Sequence, residues 1–152
     1  MAEEKMLLVR LGKDLYAIPI AAIEEVLPAL PIEAVPQCPD FVRGVIFVRG
    51  HLIPVLDAGE RLGSKAPKGF DDSNIVCLRI GEANARLVGV EFDEVLDLLD
   101  LVGAEILPSR EIGAKGGFFT GVVEQDGRLI RLLDPEMLIS TAEKEEWFRA
   151  TP

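Results

Sequence analysis

Short apolar runs separated by turn-forming residues recur along this chain. Residues 6–11 and 15–20 are apolar and flank a Gly-Lys-Asp turn, so they predict an opening β-hairpin. Residues 75–80 and 86–92 flank a second polar turn and predict another pair of strands. Many short strands with evenly spaced turns indicate an all-β barrel or sandwich.

One segment of the chain occurs twice in similar form. Residues 44–57 read GVIFVRGHLIPVLD, and residues 121–134, 77 positions later, read GVVEQDGRLIRLLD, with seven of fourteen residues identical. Each copy predicts a hairpin in which two apolar strands are joined by a tight turn that ends in glycine. Asp126 favours such a turn because it tolerates positive φ, whereas Arg49 at the equivalent position does not. The arginine in the first turn therefore needs another explanation.

The segments ahead of the two hairpins repeat as well. In each, a strand is followed by a Glu-Val-Leu segment, at residues 25–27 and 94–96, and then by a loop that contains proline. Two copies of a long unit predict two similar β-modules packed against each other, rather than a solenoid of many short repeats.

The helices are expected to be short. Residues 21–27 could form a helical turn or two, and residues 93–101 carry aliphatic and acidic residues at helix-like spacing. Asp57 and Glu60 have the spacing of a capping box, which predicts a short helix after the first repeated hairpin. A terminal helix is predicted over residues 135–148, because Pro follows an N-cap Asp at its start.

Composition and charge narrow the function. At 152 residues and 49% hydrophobic, the chain fits one packed domain or two small subdomains. Its net charge of −10 counts against a general nucleic-acid binder and against docking on anionic lipid. No apolar run is long enough for a membrane helix, and the first residues do not resemble a signal peptide. Cys38 and Cys77 stand alone, which indicates reduced thiols in a cytoplasmic protein.

Residue sets typical of catalysis are missing from the sequence. His51 is the only histidine, which excludes a His-rich metal site. A thiol–imidazole pair of Cys38 and His51 stays open, although a free Cys more commonly packs as a small hydrophobe. The acidic clusters lack the alternation of a calcium loop, and no phosphate-binding loop is found. We therefore expect no enzyme activity, no catalytic residue, no metal and no cofactor.

The motifs around the first repeated hairpin resemble a known family signature. Residues 35–57 read V-P-x-x-P-D-F-V-R-G-V-I-x-V-R-G-x-x-I-P-V-L-D, which is similar to the signature of the CheW family, the coupling proteins of bacterial chemosensory arrays. Residues 11–20, 88–95 and 121–138 fit the family's opening, its middle, and its last hairpin and helix. The resemblance spans residues 6–140, nearly the whole chain.

The resemblance implies a fold and a division of the chain. The fold would be all-β with short helices, in which two small five-stranded SH3-like barrels share a hydrophobic interface, the CheW-like fold. Residues 1–142 would form a single CheW-like domain made of two β-barrel subdomains. Residues 143–152 would form a C-terminal helical end.

The resemblance also implies a role. The protein would be a non-catalytic scaffold that couples chemoreceptors, the methyl-accepting chemotaxis proteins, to the CheA histidine kinase. Its partners would be the regulatory domain of a CheA-type kinase and the cytoplasmic tip of the receptors, a helical hairpin that docks in the groove between the two barrels. No nucleic acid and no direct membrane insertion are expected, and the location would be cytoplasmic, at membrane receptor arrays.

The receptor groove can be assigned position by position from the family pattern. Its aliphatic side chains can take the apolar stripe of an amphipathic helix. Glu25 and Arg49 at its edge can pair with each other or with receptor charges, which favours one orientation of the partner. The groove would comprise Ile23, Glu25, Val26, Arg49, Gly50, Val88 and Gly89, with Gly44 and Phe47 as further candidates.

Two other functions stay open at this point. One is a small-molecule sensor whose ligand lies between the barrels, where Phe47 and Phe92 could line a pocket. The other is a purely structural CheW-like module of a non-chemotaxis chemosensory pathway. Phe47 stands where the family commonly has Asn, and Ala58-Gly59 replace a Leu-Arg pair, so the resemblance leaves open which receptor or kinase is served.

Overall fold

The computed structural model describes residues 5–63, 73–81, 85–113, 117–140 and 143–144. Within these residues the chain is built mainly of strands, with one short α-helix and three single turns of 3-10 helix. The strands are β1 Lys5–Leu11, β2 Asp14–Pro19, β3 Ile23–Pro28, β4 Val42–Val48, β5 His51–Asp57, β6 Asn74–Ile80, β7 Arg86–Phe92, β8 Glu94–Asp100, β9 Ile106–Pro108, β10 Phe119–Gln125 and β11 Arg128–Leu133. The helix α1 spans Ala58–Leu62, and the 3-10 turns span Ile20–Ala22, Ser109–Ile112 and Pro135–Leu138.

The strands form two sheets, each folded around its own apolar interior. The first, in the order β8-β1-β2-β11-β10-β9, is called barrel 1, and the second, in the order β3-β6-β7-β5-β4, is called barrel 2. Barrel 1 has six strands rather than the expected five, because the three-residue β9 pairs along β10. The interior of barrel 1 includes Leu8, Ala17 and Ile130, and that of barrel 2 includes Ile53 and Ile75.

A third apolar core lies between the two barrels. Alternate residues of one strand face opposite sides of a sheet, and β1 uses both of its faces. Leu8 points into barrel 1, whereas Leu7 and Val9 join Val76 and Leu78 of barrel 2 in the core between the barrels. The predicted shared hydrophobic interface is therefore confirmed, and it is the largest of the three apolar clusters among the described residues.

The two sequence repeats are interleaved between the barrels. Hairpin β1–β2 from the first repeat lies in barrel 1, where β2 runs parallel to β11 of the second repeat. Barrel 2 is built from β3, β4 and β5 of the first repeat and from β6 and β7 of the second. One repeat therefore does not make one barrel, and each barrel contains strands from both repeats.

Two of the predicted helical segments are strands. After the 3-10 turn Ile20–Ala22, residues 23–28 form β3, and residues 94–100 form β8. Each pairs with one neighbour and carries a register shift, between Ile23 and Glu25 in β3 and opposite Leu8 in β8. A β-bulge inserts one residue into the alternating pattern, so the apolar spacing imitates a helix.

The predicted helix after the first repeated hairpin is confirmed. Asp57 accepts a hydrogen bond from the backbone N–H of Glu60 at 3.2 Å, and Gly63 ends α1 in a left-handed conformation with φ of 77°. In the second repeat the chain makes only the 3-10 turn Pro135–Leu138, in which Asp134 accepts from the backbone N–H of Glu136 at 3.1 Å. Within the described part, the predicted terminal helix is limited to this 3-10 turn and to helical residues 143–144, and residues 141–142 and 145–152 lie outside the described residues.

Candidate partner-binding groove

The groove is organised by the turn that joins β4 to β5. Both central residues have positive φ, 48° at Arg49 and 81° at Gly50, as in a type I′ hairpin turn. The equivalent turn between β10 and β11 has the same form, with φ of 55° at Asp126 and 78° at Gly127. Positive φ is unfavourable for an arginine, so the turn geometry does not account for Arg49.

Arg49 forms an ion pair with Glu25, which lies on β3. β3 and β4 are the two edges of the barrel 2 sheet, and the pair joins the tip of the β4–β5 hairpin to the opposite edge. The Arg49 side chain is 68% exposed, so a partner can reach the guanidinium without unfolding any element. The ion pair therefore marks a place where the structure presents one positive and one negative group side by side.

A cleft of about 240 Å³ lies beneath this ion pair. Burial raises the pKa of the Cys77 thiol at the cleft, and the nearby Arg49 charge acts in the opposite direction without outweighing it. The thiol is therefore protonated at neutral pH and is a poor nucleophile. The cleft is lined by Glu24, Glu25, Val48, Arg49, His51, Ile53, Cys77 and Leu87.

Two of the predicted groove residues, Glu25 and Arg49, line this cleft, and Ile23, Val26 and Gly50 are not among its lining residues. Val26 follows Glu25 on β3 and is 39% exposed, which is high for an aliphatic side chain on a strand. Ile23 is half-buried and packs against the core between the barrels. Glu25 pairs with Cys77 of the barrel 2 interior, whereas Val26 pairs with Val76 of the core between the barrels, so Val26 and Glu25 lie on opposite faces of β3.

Val88 and Gly89 do not present side chains to a partner. Val88 is 1% exposed and faces the core between the barrels. Gly89 faces the interior of barrel 2, where a Cβ atom would lie 2.8 Å from Cγ2 of Ile75. Both positions face inward, so these two residues can support the groove only from within, and their part in it stays a prediction.

The two further candidates have different places. Gly44 is buried with φ of 146°, and a Cβ atom there would lie 2.0 Å from the carbonyl oxygen of Glu33, so its role is to let the loop that contains Glu33 approach. Phe47 is 70% exposed and pairs across the hairpin with Leu52, which is 71% exposed. Phe92 is 1% exposed. The expectation that Phe47 and Phe92 line one pocket is therefore wrong.

Sequence reasoning missed Arg79, which anchors the strand that carries the groove. Its guanidinium donates to Oε1 of Glu24 at 2.8 Å and to the carbonyl oxygens of Ala21 and Ile23, the latter at 3.2 Å. These bonds fix the start of β3 and hence the position of Glu25. No local signal identifies Arg79, because its partners lie more than fifty residues away.

The described residues contain neither a metal-binding set nor a spanning segment. No three His, Cys, Asp or Glu side chains of the described part gather closely enough to hold a metal ion. Among the residues that the structure describes, no helix has the length and apolar character needed to cross a bilayer.

Two SH3-like barrels that share an apolar core, with a charged and apolar groove at one sheet edge, define a small β-barrel module of the scaffold class. Residues 5–143 match the family model of the CheW-like domain, and the chain belongs to this family. It is 30% identical over 138 residues to the chemotaxis protein CheW of Rhizobium meliloti, covering 90% of this chain and 87% of the relative. It is 31% identical over 143 residues to the protein FrzA of Myxococcus xanthus, covering 92% and 88%.

A comparison with a solved structure also supports this family assignment. The scaffolding protein TtCheW from Thermoanaerobacter tengcongensis superimposes with a TM-score of 0.77 at 27% identity, covering 95% of this chain and 97% of that one. The predicted fold, two small barrels with a common interface, is confirmed. The predicted role is confirmed at the level of the family, which is that of a scaffold or adaptor protein in chemotaxis signalling.

Proposed function

We propose that this protein couples chemoreceptors to a CheA-type histidine kinase, as a non-catalytic adaptor in the cytoplasm at receptor arrays. On this proposal the groove around Arg49, Glu25 and Val26 binds the cytoplasmic tip of the receptor. The main observation in support of this proposal is that Arg49 and Glu25 form an ion pair at the mouth of the barrel 2 cleft. These residues are 24 positions apart in sequence and come from the two edges of one sheet.

The chemistry of this groove suits an amphipathic helix. Val26 offers an exposed aliphatic surface on the edge strand that also carries Glu25, and Ile23 continues it towards the barrel interface. An amphipathic helix binds such a groove through its apolar stripe, and charges at the rim select its orientation. Arg49 can leave Glu25 and pair with a receptor carboxylate instead. Alternatively, Arg49 and Glu25 can together bind two receptor groups of opposite charge. The unfavourable turn conformation of Arg49 supports a binding role, because Asp or Asn would serve the turn better.

The kinase needs a second surface, and the same hairpin offers one. Phe47 and Leu52 are exposed side by side, and Val45 and Pro54 form the next pair on this face. These four residues are called the outer hairpin face. Further along β5 the same face meets barrel 1 through Leu56 in the shared core. The outer hairpin face therefore continues a surface that already packs against a β-barrel, which fits a kinase regulatory domain of the same fold.

The test separates the two surfaces. Binding of receptor cytoplasmic fragments is measured by co-sedimentation, and binding of the kinase regulatory domain by calorimetry. Arg49→Glu is expected to weaken receptor binding at least about tenfold, because it sets two like charges together, while kinase binding is retained. Phe47→Glu is expected to do the reverse. Each variant is thus the control for the other.

A matched control for the groove comes from barrel 1. Leu98 lies on its edge strand β8 and is exposed like Val26 on β3. Val26→Asp is expected to lose receptor binding, and Leu98→Asp is expected to keep it. The adaptor proposal is wrong if the wild-type protein binds neither partner at micromolar concentration. The assignment of surfaces is wrong if Arg49→Glu and Phe47→Glu have the same effect on both partners.

A further inference from the structure

The outer face of the second repeated hairpin, β10–β11, differs from that of the first. On its β9 side lies a cleft of about 460 Å³, here called the acidic cleft, whose apolar floor includes Leu107, Val122 and Leu129. Its rim carries three carboxylates, Glu105, Glu111 and Glu124, and none of the described residues that line it is a cation. Within the described part of the chain, neither Glu105 nor Glu111 has a cationic partner.

On the β2 side of the same hairpin lies a second cleft of about 300 Å³, here called the basic cleft. Three cations line it, and among the described residues only one carboxylate, that of Asp14, does so. Asp14 lies 3.8 Å from Nη1 of Arg131, so one of the three cations is matched within the chain. The basic cleft is lined by Lys13, Asp14, Leu15, Arg128, Leu129 and Arg131.

The two clefts meet at one side chain. Leu129 lines both and is 50% exposed. The order across the sheet is β9, β10, β11 and β2, so carboxylates lie on one side of Leu129 and cations on the other. This face thus has an apolar centre between two halves of opposite charge.

From this arrangement we propose that the β10–β11 face of barrel 1 binds the same face of a second copy of this chain. In a two-fold dimer one patch contacts itself in reversed orientation, so it must be self-complementary. A patch with opposite charges on the two sides of a leucine meets this condition. The acidic cleft of each copy then faces the basic cleft of the other, and the two Leu129 side chains meet near the axis.

The corresponding face of barrel 2 does not have this property. Its equivalent cleft of about 300 Å³ is lined by His51, Leu52, Ile53, Pro54, Ala85, Arg86 and Leu87, which include one arginine and no carboxylate. Phe47 also stands where barrel 1 has Glu124. Self-recognition by charge is therefore confined to barrel 1. The contact is small, so we expect weak association, seen in the range from tens of micromolar to about 1 mM.

The experiment uses two variants with complementary faces. Glu105→Lys with Glu111→Lys makes both halves basic, and Lys13→Glu with Arg128→Glu makes both halves acidic. These four side chains make no hydrogen bond or ion pair that holds the fold together among the described residues. In sedimentation equilibrium the wild type is expected to associate towards twice its 16.6 kDa mass. Each variant alone is expected to associate at least about tenfold more weakly, because like charges then face each other.

The equimolar mixture of the two variants gives the decisive result. The substituted charges of each variant then meet opposite charges on the other, so a heterodimer at least as tight as the wild-type dimer is expected. Net charge alone predicts otherwise: the basic variant carries −10 + 4 = −6 and the acidic variant −10 − 4 = −14, so the basic variant would self-associate best. A monomeric wild type at 1 mM, or a mixture no tighter than the separate variants, overturns the proposal. Asp97→Lys and Lys5→Glu, both exposed on other parts of barrel 1, are the matched controls and are expected to behave as wild type.

Discussion

The hairpins β4–β5 and β10–β11 share their architecture and differ in what they expose. Most residues identical in the two copies are structural: Ile53 and Ile130 fill the two barrel interiors, and Asp57 and Asp134 cap the turns that follow. The shared Leu52 and Leu129 are exposed, and the largest changes in chemical character are also at exposed positions. Phe47 corresponds to Glu124, and equivalent turns carry Arg49 and Asp126.

This difference teaches which positions specify the fold and which specify partners. A substitution at a shared buried position disturbs the packing of a barrel, and the same disturbance is expected in either copy. A substitution at a differing exposed position leaves the barrel intact and changes only one surface. The two hairpins therefore serve as controls for each other.

The largest expected effect is at the glycine that opens each hairpin. A Cβ atom on Gly44 would lie 2.0 Å from the carbonyl oxygen of Glu33, and one on Gly121 would lie 2.6 Å from that of Leu107. Both contacts are with backbone, which cannot rotate away. Gly44→Ala also forces alanine to φ of 146°. We expect Gly44→Ala to lower the free energy of unfolding by at least about 3 kcal/mol in urea titrations, and Gly121→Ala by somewhat less.

Gly103 provides the control for backbone strain without a clash. Its φ is 77°, and a Cβ atom added there would have no described atom within 4 Å. Gly103→Ala should therefore cost only about 1 kcal/mol. If Gly44→Ala costs no more than Gly103→Ala, close approach of the loop that contains Glu33 is not what requires glycine.

A smaller effect is expected where the two turns differ. Arg49→Asn removes the ion pair with Glu25 but places a residue that tolerates positive φ in the turn. An exposed ion pair contributes about 0–1 kcal/mol, and the turn gains a similar amount. The free energy of unfolding should therefore stay within about 0.5 kcal/mol of wild type, as it should for Asp126→Asn. A loss above about 2 kcal/mol would mean that Arg49 locks barrel 2 instead of serving a partner.

The shared hydrophobic interface was implied by the family resemblance, whereas the sequence was sufficient for the repeat and for the four hairpins. Those features depend on local turns and on apolar alternation, which are written in consecutive residues. The family resemblance supplied the barrels and the positions of Glu25, Val26 and Arg49. It did not supply the interleaving of the repeats, because pairing between β2 and β11 joins residues more than a hundred positions apart.

The differences between prediction and structure have identifiable physical causes. The apolar spacing of edge strands β3 and β8 predicts helical segments because a bulge shifts their alternation. The family pattern places Val88 and Gly89 near the groove, whereas their burial depends on which sheet covers them. The charge division around Leu129 cannot be read from consecutive residues, since Lys13, Glu105 and Arg128 come together only in the folded barrel.

A small, pH-dependent effect is predicted from another pair of equivalent turns, those of β1–β2 and β6–β7. The N–H of Gly12 donates to Oδ2 of Asp93 at 2.7 Å, and the N–H of Gly81 donates to Oε2 of Glu136 at 2.9 Å. Burial acts to raise the pKa of Glu136. Hydrogen bonds from Lys144, at 2.8 Å, and from the Gly81 amide outweigh it and lower the pKa below its ordinary value of 4.5.

A carboxyl group whose pKa is lower in the folded state stabilises the fold above its unfolded pKa, and this contribution is lost as the pH falls through the folded value. Wild type should therefore be more stable than Glu136→Gln at pH 7, and the difference should shrink as the pH falls below about 4.5. The Glu136 side chain is 45% exposed, so the difference at pH 7 is expected to stay below about 1 kcal/mol. Urea unfolding of wild type and Glu136→Gln between pH 7 and pH 3 measures this difference in the free energy of unfolding. A difference that is constant over this range would show that Glu136 acts through packing of its side chain rather than through its charge.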